Sequence, residues 1–491
     1  MTTDNEYITK RREKVKLLRE LNVDPYTNTF RPSSSVKEIV DKYKGQDNSN
    51  FESDNVNYKV AGRVVAIRSF GKSAFIKILD NQIKFQIFIS NDSAGKEKMD
   101  FFKKFVDIGD FVGIVGPCFF TKTNELSIEA QELIVLTKSL NTLPEKWHGL
   151  TNIETRYRQR YVDLISNESV KDVFILRSKI ISQIRDFMNS KKFIEVETPL
   201  LHNVAGGAAA KPFKTHHNTL DMDLILRIAP ELYLKRLIIG GIEKVFEIGR
   251  NFRNEGISTQ HNPEFTMIEF YQAYSDYLEM MNFIEELISD CVSLVSNNQQ
   301  INYQNNVINF KTPWERVHMI NWLTEKLGFD VFEEKKILIE ADKMKINHFG
   351  VAGRAITEIF ETKFFQNYKN PVFVYGFPID VSPLARRNND DPRIADRFEL
   401  FINEKEIANA FSELNDPDDQ FERFEKQLEE KEKGNEEAND MDDDYINALR
   451  YGMPPTVGAG IGIDRLVMLL TGNVSIKDVI LFPTLRSENN S

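Results

Sequence analysis

The chain has 491 residues, which is too long for a single ordinary hydrophobic core, so we expect two or three domains. Of these residues 41% are hydrophobic and 11% aromatic, which indicates a globular protein. It contains no run of eighteen apolar residues and begins without an apolar stretch, which argues against a membrane span and a secretory signal. The formal charge of −11 leaves a polyanionic partner open, because net charge reports on solubility better than on a local surface.

The two cysteines, Cys118 and Cys291, are far apart and belong to no CxxC pair. A disulfide framework and a cysteine zinc site are therefore not expected, and the sequence fits a reducing compartment. We accordingly expect a cytoplasmic protein.

The first predicted element is an amphipathic helix over residues 5–22, which ends at the turn-forming Val23-Asp24-Pro25. Six of the ten residues from Lys10 to Arg19 are basic. Taken alone, this pattern favours a solvated helix face over a surface that binds RNA.

From about residue 57 to residue 137 the pattern changes to short alternating strands separated by glycines and polar turns. The five predicted strands are Val60–Ile67, Ala74–Leu79, Ile83–Ile89, Phe111–Phe119 and Leu126–Leu136. A helical stretch, about residues 95–106, lies between the third and the fourth. This order predicts a small oligonucleotide-binding (OB) barrel.

A polar linker at 144–168 follows, and beyond it a helix is predicted from Val170 to Lys192 and a strand from Phe193 to Glu197 that ends at Pro199. The remaining residues mix strands with helices. The predicted domains are a helical extension (1–50), the barrel (51–143), the linker (144–168) and a large C-terminal domain (169–491). The acidic stretch from Asp416 to Asp444 predicts a solvated helix with a flexible middle at Gly434-Asn435, without chemistry of its own.

Residues 247–271 predict two antiparallel strands joined by a long polar loop that contains His261 and Asn262. Side chains alternate between the two faces of a strand. We therefore expect Phe265, Glu269 and Tyr271 to share one face, and Arg253 and Glu255 to share a face of the first strand. The pattern alone leaves a binding surface and a solvent-facing strand about equally open.

The segment Gly458-Ala459-Gly460-Ile461-Gly462 precedes Asp464-Arg465 and an apolar helix. Glycines two residues apart let another group approach the backbone closely, and an arginine at a helix start can bind phosphate oxygens. Close packing of the chain explains the same glycines equally well. No GK[ST] follows, so the segment is not a Walker A loop.

Residues 397–413 predict a hairpin that turns near Asn403 and brings Glu399 opposite Glu406. Facing carboxylates repel unless a cation lies between them. Two glutamates in water are the alternative.

Together these segments resemble the three motifs of class II aminoacyl-tRNA synthetases. Residues 193–199 resemble the dimer-forming first motif, Phe252-Arg253-Asn254-Glu255 the second, and residues 460–465 the third. The OB barrel restricts the resemblance to the lysine, aspartate and asparagine subgroup. Stretches such as Gly206-Gly207-Ala208, residues 229–235 and residues 411–415 are similar to lysyl-tRNA synthetases of the bacterial cytoplasmic type. The resemblance implies an α+β fold, with an N-terminal OB-fold barrel and a class II catalytic domain built on an antiparallel sheet with flanking helices.

Charge separately favours lysine as the substrate. A desolvated ammonium group needs anionic or aromatic partners, because a buried unpaired charge is very costly. The candidate pocket offers Glu231, Glu269, Glu413 and Tyr271, whereas an aspartate site needs a cation. In the aspartyl relatives, position 231 is more typically glutamine.

The resemblance implies lysine–tRNA ligation with ATP and Mg²⁺, and it assigns roles to single residues. Arg253 and Arg465 would be catalytic. Lysine would be bound by Gly207, Glu231, Arg253, Glu269, Tyr271, Asn409 and Glu413. ATP would be bound by Arg253, Glu255, His261, Asn262, Phe265, Glu399, Glu406 and Arg465, with Glu399 and Glu406 as the Mg²⁺ ligands. For His261, capping of the loop is the alternative to phosphate contact.

The same resemblance implies that tRNA(Lys) is the RNA partner and that its anticodon is read by Phe75, Gln86 and Glu125. Stacking on an aromatic side chain and a few polar contacts would supply the affinity. Strand parity leaves open whether Phe75 belongs to the core. The basic N-terminal helix, Arg63 and Lys72 would contact phosphates. A homodimer with Pro199 at its interface is expected.

No nucleophilic side chain or general base is evident, so catalysis is expected from positioning and from neutralising phosphate charge. Two other functions compete with this one. An aspartyl or asparaginyl enzyme, or a ligase that needs no tRNA, would keep the fold. A catalytically inactive RNA-binding protein would have no need of the charged residues at Arg253, Glu399, Glu406 and Arg465.

Overall fold

The structure is a computed structural model that describes residues 2–52, 56–144, 150–364, 368–432 and 440–487. Contacts between residues divide the chain into two compact units, Met1–Glu168 and Ser169–Ser491. In the described ranges, no helix is both long and apolar enough to cross a membrane. The predicted flexible point at Gly434-Asn435 lies outside the described residues.

The first unit combines short helices with one seven-stranded sheet. Its described helices are α1 (Thr2–Glu20), α2 (Val36–Lys42), α3 (Asn91–Ala94), α4 (Lys96–Phe105), α5 (Ile153–Arg158) and α6 (Arg160–Ser166). Its strands are β1 (Tyr58–Phe70), β2 (Ser73–Asp80), β3 (Ile83–Ser90), β4 (Phe111–Gly116), β5 (Cys118–Phe120), β6 (Leu126–Glu129) and β7 (Glu132–Thr137). They are hydrogen-bonded in the order β5-β6-β3-β2-β1-β4-β7.

The predicted fourth and fifth strands are each divided in two. Pro117 separates β4 from β5, because proline has no amide hydrogen to donate to a sheet ladder. Ala130 and Gln131 separate β6 from β7, and their amides donate instead to the carbonyls of Phe88 and Val115. The helix α4 lies between the third and the fourth strand, as the sequence predicts.

The basic helix α1 is anchored by two of its cations instead of being wholly solvated. The Arg11 guanidinium donates to the carbonyls of Ile108, Ser139 and Asn141 at 2.8–3.0 Å. Lys14 pairs with Asp107 at 2.7 Å. Leu18 on the same helix is fully buried. The inward pair fixes the helix, and the remaining basic side chains stay exposed.

The second unit is built on an eight-stranded sheet. Its described helices are α7 (Glu168–Ser190), α8 (Glu231–Ile239), α9 (Tyr277–Ser293), α10 (Met319–Leu327), α11 (Glu334–Lys343), α12 (Ala352–Phe364), α13 (Pro417–Glu432), α14 (Asp443–Leu449), α15 (Ile463–Thr471) and α16 (Ile476–Val479). Its strands are β8 (Ile194–Glu195), β9 (Leu201–His202), β10 (Lys214–His217), β11 (Met222–Leu226), β12 (Lys244–Phe252), β13 (Glu264–Ala273), β14 (Gln300–Tyr303), β15 (Asn306–Asn309), β16 (Glu315–His318), β17 (Val372–Tyr375), β18 (Arg397–Ile402), β19 (Lys405–Ser412) and β20 (Thr456–Gly462).

The eight strands of the main sheet follow the order β16-β17-β18-β19-β20-β13-β12-β8. The six from β17 to β12 are antiparallel, and only the outer pairs with β16 and β8 are parallel. One face of the sheet packs on the apolar sides of α7, α9 and α15, where Phe246, Phe270 and Ile461 are fully buried. The opposite face is therefore available for polar side chains.

Two strand predictions are corrected by this sheet. The strand predicted from Phe193 to Glu197 is paired only at Ile194 and Glu195. The first strand of the 247–271 hairpin ends at Phe252. Arg253 and Glu255 therefore follow the strand, and strand alternation does not set their directions.

The 397–413 hairpin turns at Asn403 and Glu404, both in the left-handed region with φ of 47° and 66°, as a tight two-residue hairpin requires. This turn pairs Glu406 with Phe401, and a bulge then pairs Glu399 with Asn409. The prediction that Glu399 lies directly opposite Glu406 is therefore wrong. Because the bulge adds one residue, Glu406 and Asn409 extend to the same face.

Candidate active site

A large pocket covers the polar face of the main sheet and is lined by β13, β19 and β20 and by the loops around them. Along β13 the pocket-lining side chains alternate as the sequence predicts, and they include Phe265, Glu269 and Tyr271. The facing strand β19 contributes Glu406, Asn409 and Phe411. Between these strands lie the glycines of β20, with Gly460 paired to both Glu269 and Asn409.

The glycine segment is the floor of the pocket. A Cβ atom on Gly458 would lie 2.2 Å from Oε1 of Glu413 and 2.3 Å from Cε1 of Tyr271. No side chain fits there without moving both groups. The sequence left open whether these glycines allow another group to approach the backbone or allow the chain to pack closely. At Gly458 the two explanations describe the same contact, because Glu413 and Tyr271 pack directly against the backbone.

A cluster of buried acidic side chains lies at one end of the pocket: Glu231 and Glu269 line it, and Glu413 lies against the pocket-lining Gly458. Glu231, Glu269 and Glu413 are 6%, 5% and 2% exposed. The Tyr271 hydroxyl lies 3.4 Å from Oε2 of Glu269. Oε1 of Glu413 is buried and has no hydrogen-bond partner among the described residues. A buried acceptor without a partner is costly, so this end is suited to a cationic ligand.

Burial raises the pKa of all three glutamates of this cluster. It raises the pKa of Glu269 to about 8, with the neighbouring Glu231 adding to the effect. The pKa values of Glu231 and Glu413 are also raised by burial, and the Lys235 ammonium opposes that rise. A bound ammonium group would favour the charged carboxylates in the same way.

Gly207 lines the pocket and packs against Glu231. This residue has a φ of +88°, and a Cβ atom on it would lie 2.9 Å from Cβ of Glu231. Glycine therefore meets both the backbone and the steric requirement at this position. The Gly207 backbone and the Glu231 side chain line the same wall.

Arg253 lies in the middle of the pocket, over the Phe265 ring, with 5.1 Å from its guanidinium carbon to the ring centroid. Its Nε atom is buried without a hydrogen-bond partner in the described part of the chain. A guanidinium with unused donors, held by an aromatic face, is a ready partner for a carboxylate or a phosphate.

Arg465 forms the opposite wall, in the first turn of α15. It donates to the Glu406 carbonyl at 2.8 Å, and its other terminal nitrogen lies 3.2 Å from Nε2 of His261. Desolvation and the Arg465 charge lower the pKa of His261. His261 also contacts the Ser258 hydroxyl at 3.0 Å, so it caps its loop and faces the pocket at once.

Glu399 is buried and is not among the residues that line the pocket. It is held by the pocket-lining Arg397, whose guanidinium contacts Oε1 of Glu399 at 2.5 Å and the Asn409 side-chain oxygen at 3.1 Å. Burial and the nearby carboxylates of Glu406 and Glu361 raise the pKa of Glu399 to about 8, against the influence of Arg397. Within the described residues, no group of three or more His, Cys, Asp or Glu side chains is arranged around one metal position. Glu399 and Glu406 are thus two carboxylates and not a complete cage.

Two further predicted ATP residues lie at the pocket mouth. Glu255 is exposed on the loop after β12. The Asn262 side chain donates to the Glu264 carbonyl at 2.6 Å and accepts from the Thr484 amide at 3.2 Å. Both line the pocket, and the contacts of Asn262 with the chain indicate that it also fixes the loop.

In the first unit, the residues predicted to meet an anticodon share one face of the barrel. Ala74, Ile76 and Ile78 point into the core, so Phe75 lies on the outer, half-buried face. Its ring lies 5.0 Å from the ring of Phe88. This answers the question that strand parity left open.

Polar groups flank this aromatic pair. The Gln86 amide donates to the Ser127 hydroxyl at 3.0 Å, and Glu125 pairs with Lys77 at 3.2 Å. Lys72 is exposed, whereas Arg63 is half-buried and donates to the Gly109 carbonyl at 3.0 Å.

Sequence reasoning missed two cations that hold predicted site residues in place. Lys235 contacts Glu231 and Glu413, and Arg397 contacts Glu399 and Asn409. The spacing in the sequence could have indicated both contacts. Lys235 follows Glu231 by four residues, which places the two side chains on one face of a helix. Arg397 precedes Glu399 by two residues, which places them on one face of a strand.

Comparison with protein families agrees with this architecture. A family model described as tRNA synthetases class II (D, K and N) matches residues 152–486, and a model described as OB-fold nucleic acid binding domain matches residues 58–136. The fold and the pocket thus define a class II tRNA synthetase with an OB-fold domain, and the predicted α+β fold class is confirmed.

Full-length relatives narrow the assignment. The lysine–tRNA ligase of Carboxydothermus hydrogenoformans is 52% identical over 98% of this chain and 98% of its own length. Those of Enterococcus faecalis and Bacillus cytotoxicus are 49% and 48% identical, over 98% and 99% of this chain and 98% of each relative. The chain belongs to the lysine–tRNA ligase family, and the resemblance drawn from its motifs is confirmed.

Proposed function

We propose that the chain joins L-lysine to tRNA(Lys) in two steps, with a bound lysyl-adenylate between them. The observation that carries the proposal is the buried Oε1 atom of Glu413, which lacks a hydrogen-bond partner within the described ranges and lies beside Gly458. Gly458 and Tyr271 line the same pocket as Arg253. A cationic side chain at one end and a carboxylate at the other describe a basic amino acid.

The acidic end is proposed to bind the two ammonium groups of lysine. Glu413 and Tyr271 receive the ε-ammonium, while Glu231, Glu269 and the Gly207 carbonyl receive the α-ammonium. Asn409, fixed by Arg397 at 3.1 Å, helps to place the carboxylate. Arg253 binds that carboxylate and the α-phosphate together, so the two reacting groups meet on one guanidinium.

The other end is proposed to bind ATP. Phe265 stacks on the adenine from one side and Arg465 from the other, and Arg465 also reaches the γ-phosphate of a bent triphosphate. Glu255, His261 and Asn262 complete the nucleotide site. In the first step a lysine carboxylate oxygen attacks the α-phosphorus in line, and the bond to pyrophosphate breaks. Arg253 and Arg465 lower the activation barrier because they stabilise the negative charge that develops on the phosphates in the transition state.

Mg²⁺ is the expected metal, and Glu399 and Glu406 would hold it. The fit rests on the chemistry of the donors, which are two carboxylates on one hairpin, with Glu399 buried. The Glu406 carboxylate is close enough to contribute to the raised pKa of Glu399. A cation between the two glutamates would relieve that repulsion. When bound, a divalent cation with oxygen ligands neutralises charge on the phosphates.

In the second step, the 3′-hydroxyl of the terminal adenosine of the tRNA attacks the lysyl carbonyl. The bond to the phosphate breaks, AMP leaves, and the hydroxyl proton is lost. The OB-fold unit binds the anticodon of the same tRNA through Phe75, Gln86 and Glu125. A cytoplasmic location stays a prediction.

Phe75→Ala should weaken tRNA binding without touching the first step. Loss of one base stack costs about 1–3 kcal/mol, which corresponds to a roughly five- to 150-fold rise in the KM for tRNA. Lysine-dependent ATP–pyrophosphate exchange without tRNA should stay unchanged. The exposed aromatic Tyr26 serves as the control through Tyr26→Ala. An unchanged KM for tRNA in the Phe75 variant would remove this residue from the anticodon site.

A homodimer is proposed to form around Pro199. Near it Ile194, Leu200 and Leu201 are 54%, 46% and 45% exposed, an apolar group suited to an interface. Leu200→Glu should convert the dimer to a monomer in sedimentation velocity, because it buries a charge without a partner. Val307→Glu, at another exposed apolar position, should leave the mass unchanged. A monomeric parent protein at micromolar concentration would refute the dimer.

The function itself is tested by ATP–pyrophosphate exchange with lysine, aspartate and asparagine in separate reactions, with Mg²⁺. Exchange with lysine alone supports the proposal. Exchange with aspartate or asparagine would mean that Glu231 and Glu413 are wrongly assigned. If no amino acid supports exchange even after tRNA is added, the chain is an inactive RNA-binding protein.

A further inference from the structure

Beneath the acidic end of the pocket lies a lysine that the roles above do not use. The Lys235 side chain is fully buried. Its ammonium contacts Oε1 of Glu231 at 2.5 Å and forms a close ion pair with Oε2 of Glu413. It therefore joins the two carboxylates that are proposed to receive the two ammonium groups of the substrate.

The surroundings leave this ammonium few other partners. It lies 5.3 Å from the centroid of the Phe411 ring and 6.0 Å from that of Tyr445. Two other arginines near the cluster are paired: Arg227 with Glu247 at 2.5 Å, and Arg397 with Glu399 at 2.5 Å. The Arg253 charge also acts on Glu269, and this arginine is proposed to bind the substrate carboxylate. Arg236, next along α8, pairs with Asp442 at 2.8 Å. Tyr271 and Tyr445 are neutral, because burial raises the pKa of both.

The charges of the cluster match those of a diamino acid. Glu231, Glu269 and Glu413 contribute three negative charges when ionised, and Lys235 contributes one positive charge, which leaves minus two. Free lysine brings two ammonium groups to this end of the pocket and its carboxylate to Arg253. The internal lysine thus adjusts the pocket to the charge of a diamino acid.

We propose that Lys235 is a positioning and specificity-determining residue, whose ammonium keeps Glu231 and Glu413 ionised and spaced for the two ammonium groups of lysine. This inference rests on the proposed function and deepens it. Neither Glu413 oxygen has a hydrogen-bond partner in the described residues, but Oε2 is in the ion pair with Lys235. It follows that Oε2 serves the protein, while Oε1 serves the substrate.

Removing Lys235 should make lysine binding depend more strongly on pH. Burial raises the pKa of Glu231 and of Glu413, and Lys235 lowers both. Without Lys235, protons would neutralise these carboxylates at higher pH than in the parent protein, and neutral carboxyls bind ammonium groups poorly. Raising the pH would restore the charges and with them the affinity. Simple removal of a cation predicts the opposite, which is tighter lysine binding by a more negative pocket.

The test compares Lys235→Met with Lys235→Arg and the parent protein, using lysine binding by calorimetry and ATP–pyrophosphate exchange from pH 6.5 to 8.5. For Lys235→Met, the Kd for lysine is expected to rise at least about tenfold at pH 7. It should then fall, by up to about tenfold per pH unit, toward pH 8.5, a steeper change than in the parent. The KM for ATP should change little, and Lys235→Arg should keep the parent's pH profile.

Three outcomes would overturn the inference. Lysine binding that is unchanged or tighter in Lys235→Met at pH 7 is the first. A loss of affinity that is the same at every pH is the second, because it indicates a merely structural role. The third is a parent protein that does not bind lysine, which refutes the proposed function as well. If the parent binds lysine without exchange, only the catalytic part of the function fails and the binding comparison still decides.

Discussion

Arg253→Ala is expected to lower lysine-dependent ATP–pyrophosphate exchange by about 10²–10³-fold, the usual effect of removing one preorganised donor from a developing charge. Arg253 is proposed to bind the lysine carboxylate and the α-phosphate at once. Its guanidinium is held over Phe265 at 5.1 Å, and its buried Nε has no hydrogen-bond partner among the described residues. The loss should appear mainly in kcat, because the interaction is strongest in the transition state.

Arg250→Ala is a matched control for this change. Arg250 lies three residues earlier, on β12, and its side chain is 44% exposed and pairs with Glu264 at 3.1 Å. Its removal should leave exchange unchanged. Arg253→Lys should recover little, since lysine offers a point charge where two groups need a planar fork. Near-normal exchange by Arg253→Ala would show that adenylate formation does not depend on this arginine.

Local patterns predict much of this fold, because both units are built from elements with clear periodicity. Residues 73–79 alternate between half-buried and buried positions, and α4 and α7 lie within a few residues of their predicted bounds. The differences occur where one residue changes the backbone. Pro117 divides a predicted strand, and a bulge at residues 406–407 shifts the pairing so that Glu399 faces Asn409. Bulges depend on how whole strands meet, so sequence alternation cannot reveal them.

In the site, too, local patterns predict some residues and only the fold identifies the others. Phe265, Glu269 and Tyr271 line the pocket together because they alternate on one strand. Lys235 and Arg397 went unassigned because a buried cation is identified by its three-dimensional partners, and Glu413 comes from a distant part of the chain. The motifs thus indicated the groups that face substrates, whereas the groups that hold them in place needed the fold.

Glu413→Gln is expected to raise the KM for lysine by at least about thirtyfold, while the KM for ATP stays within about twofold of the parent value. Removing one charge from a buried pair costs about 2 kcal/mol or more, and each 1.4 kcal/mol is a factor of ten. Glutamine has nearly the shape of glutamate, so the pocket keeps its volume and loses only its charge. Its amide donors would also face the Lys235 ammonium.

Two comparisons isolate that charge. Glu286→Gln changes a 57% exposed glutamate that pairs with Lys191, and it should leave both KM values unchanged, since an exposed pair contributes little. Gly458→Ala keeps the charge of Glu413 but displaces it, because the new Cβ would lie 2.2 Å from Oε1. That variant should also raise the KM for lysine, by way of geometry. If Gly458→Ala weakens lysine binding and Glu413→Gln does not, the pocket recognises lysine by shape, and Glu413 is not the partner of the ε-ammonium.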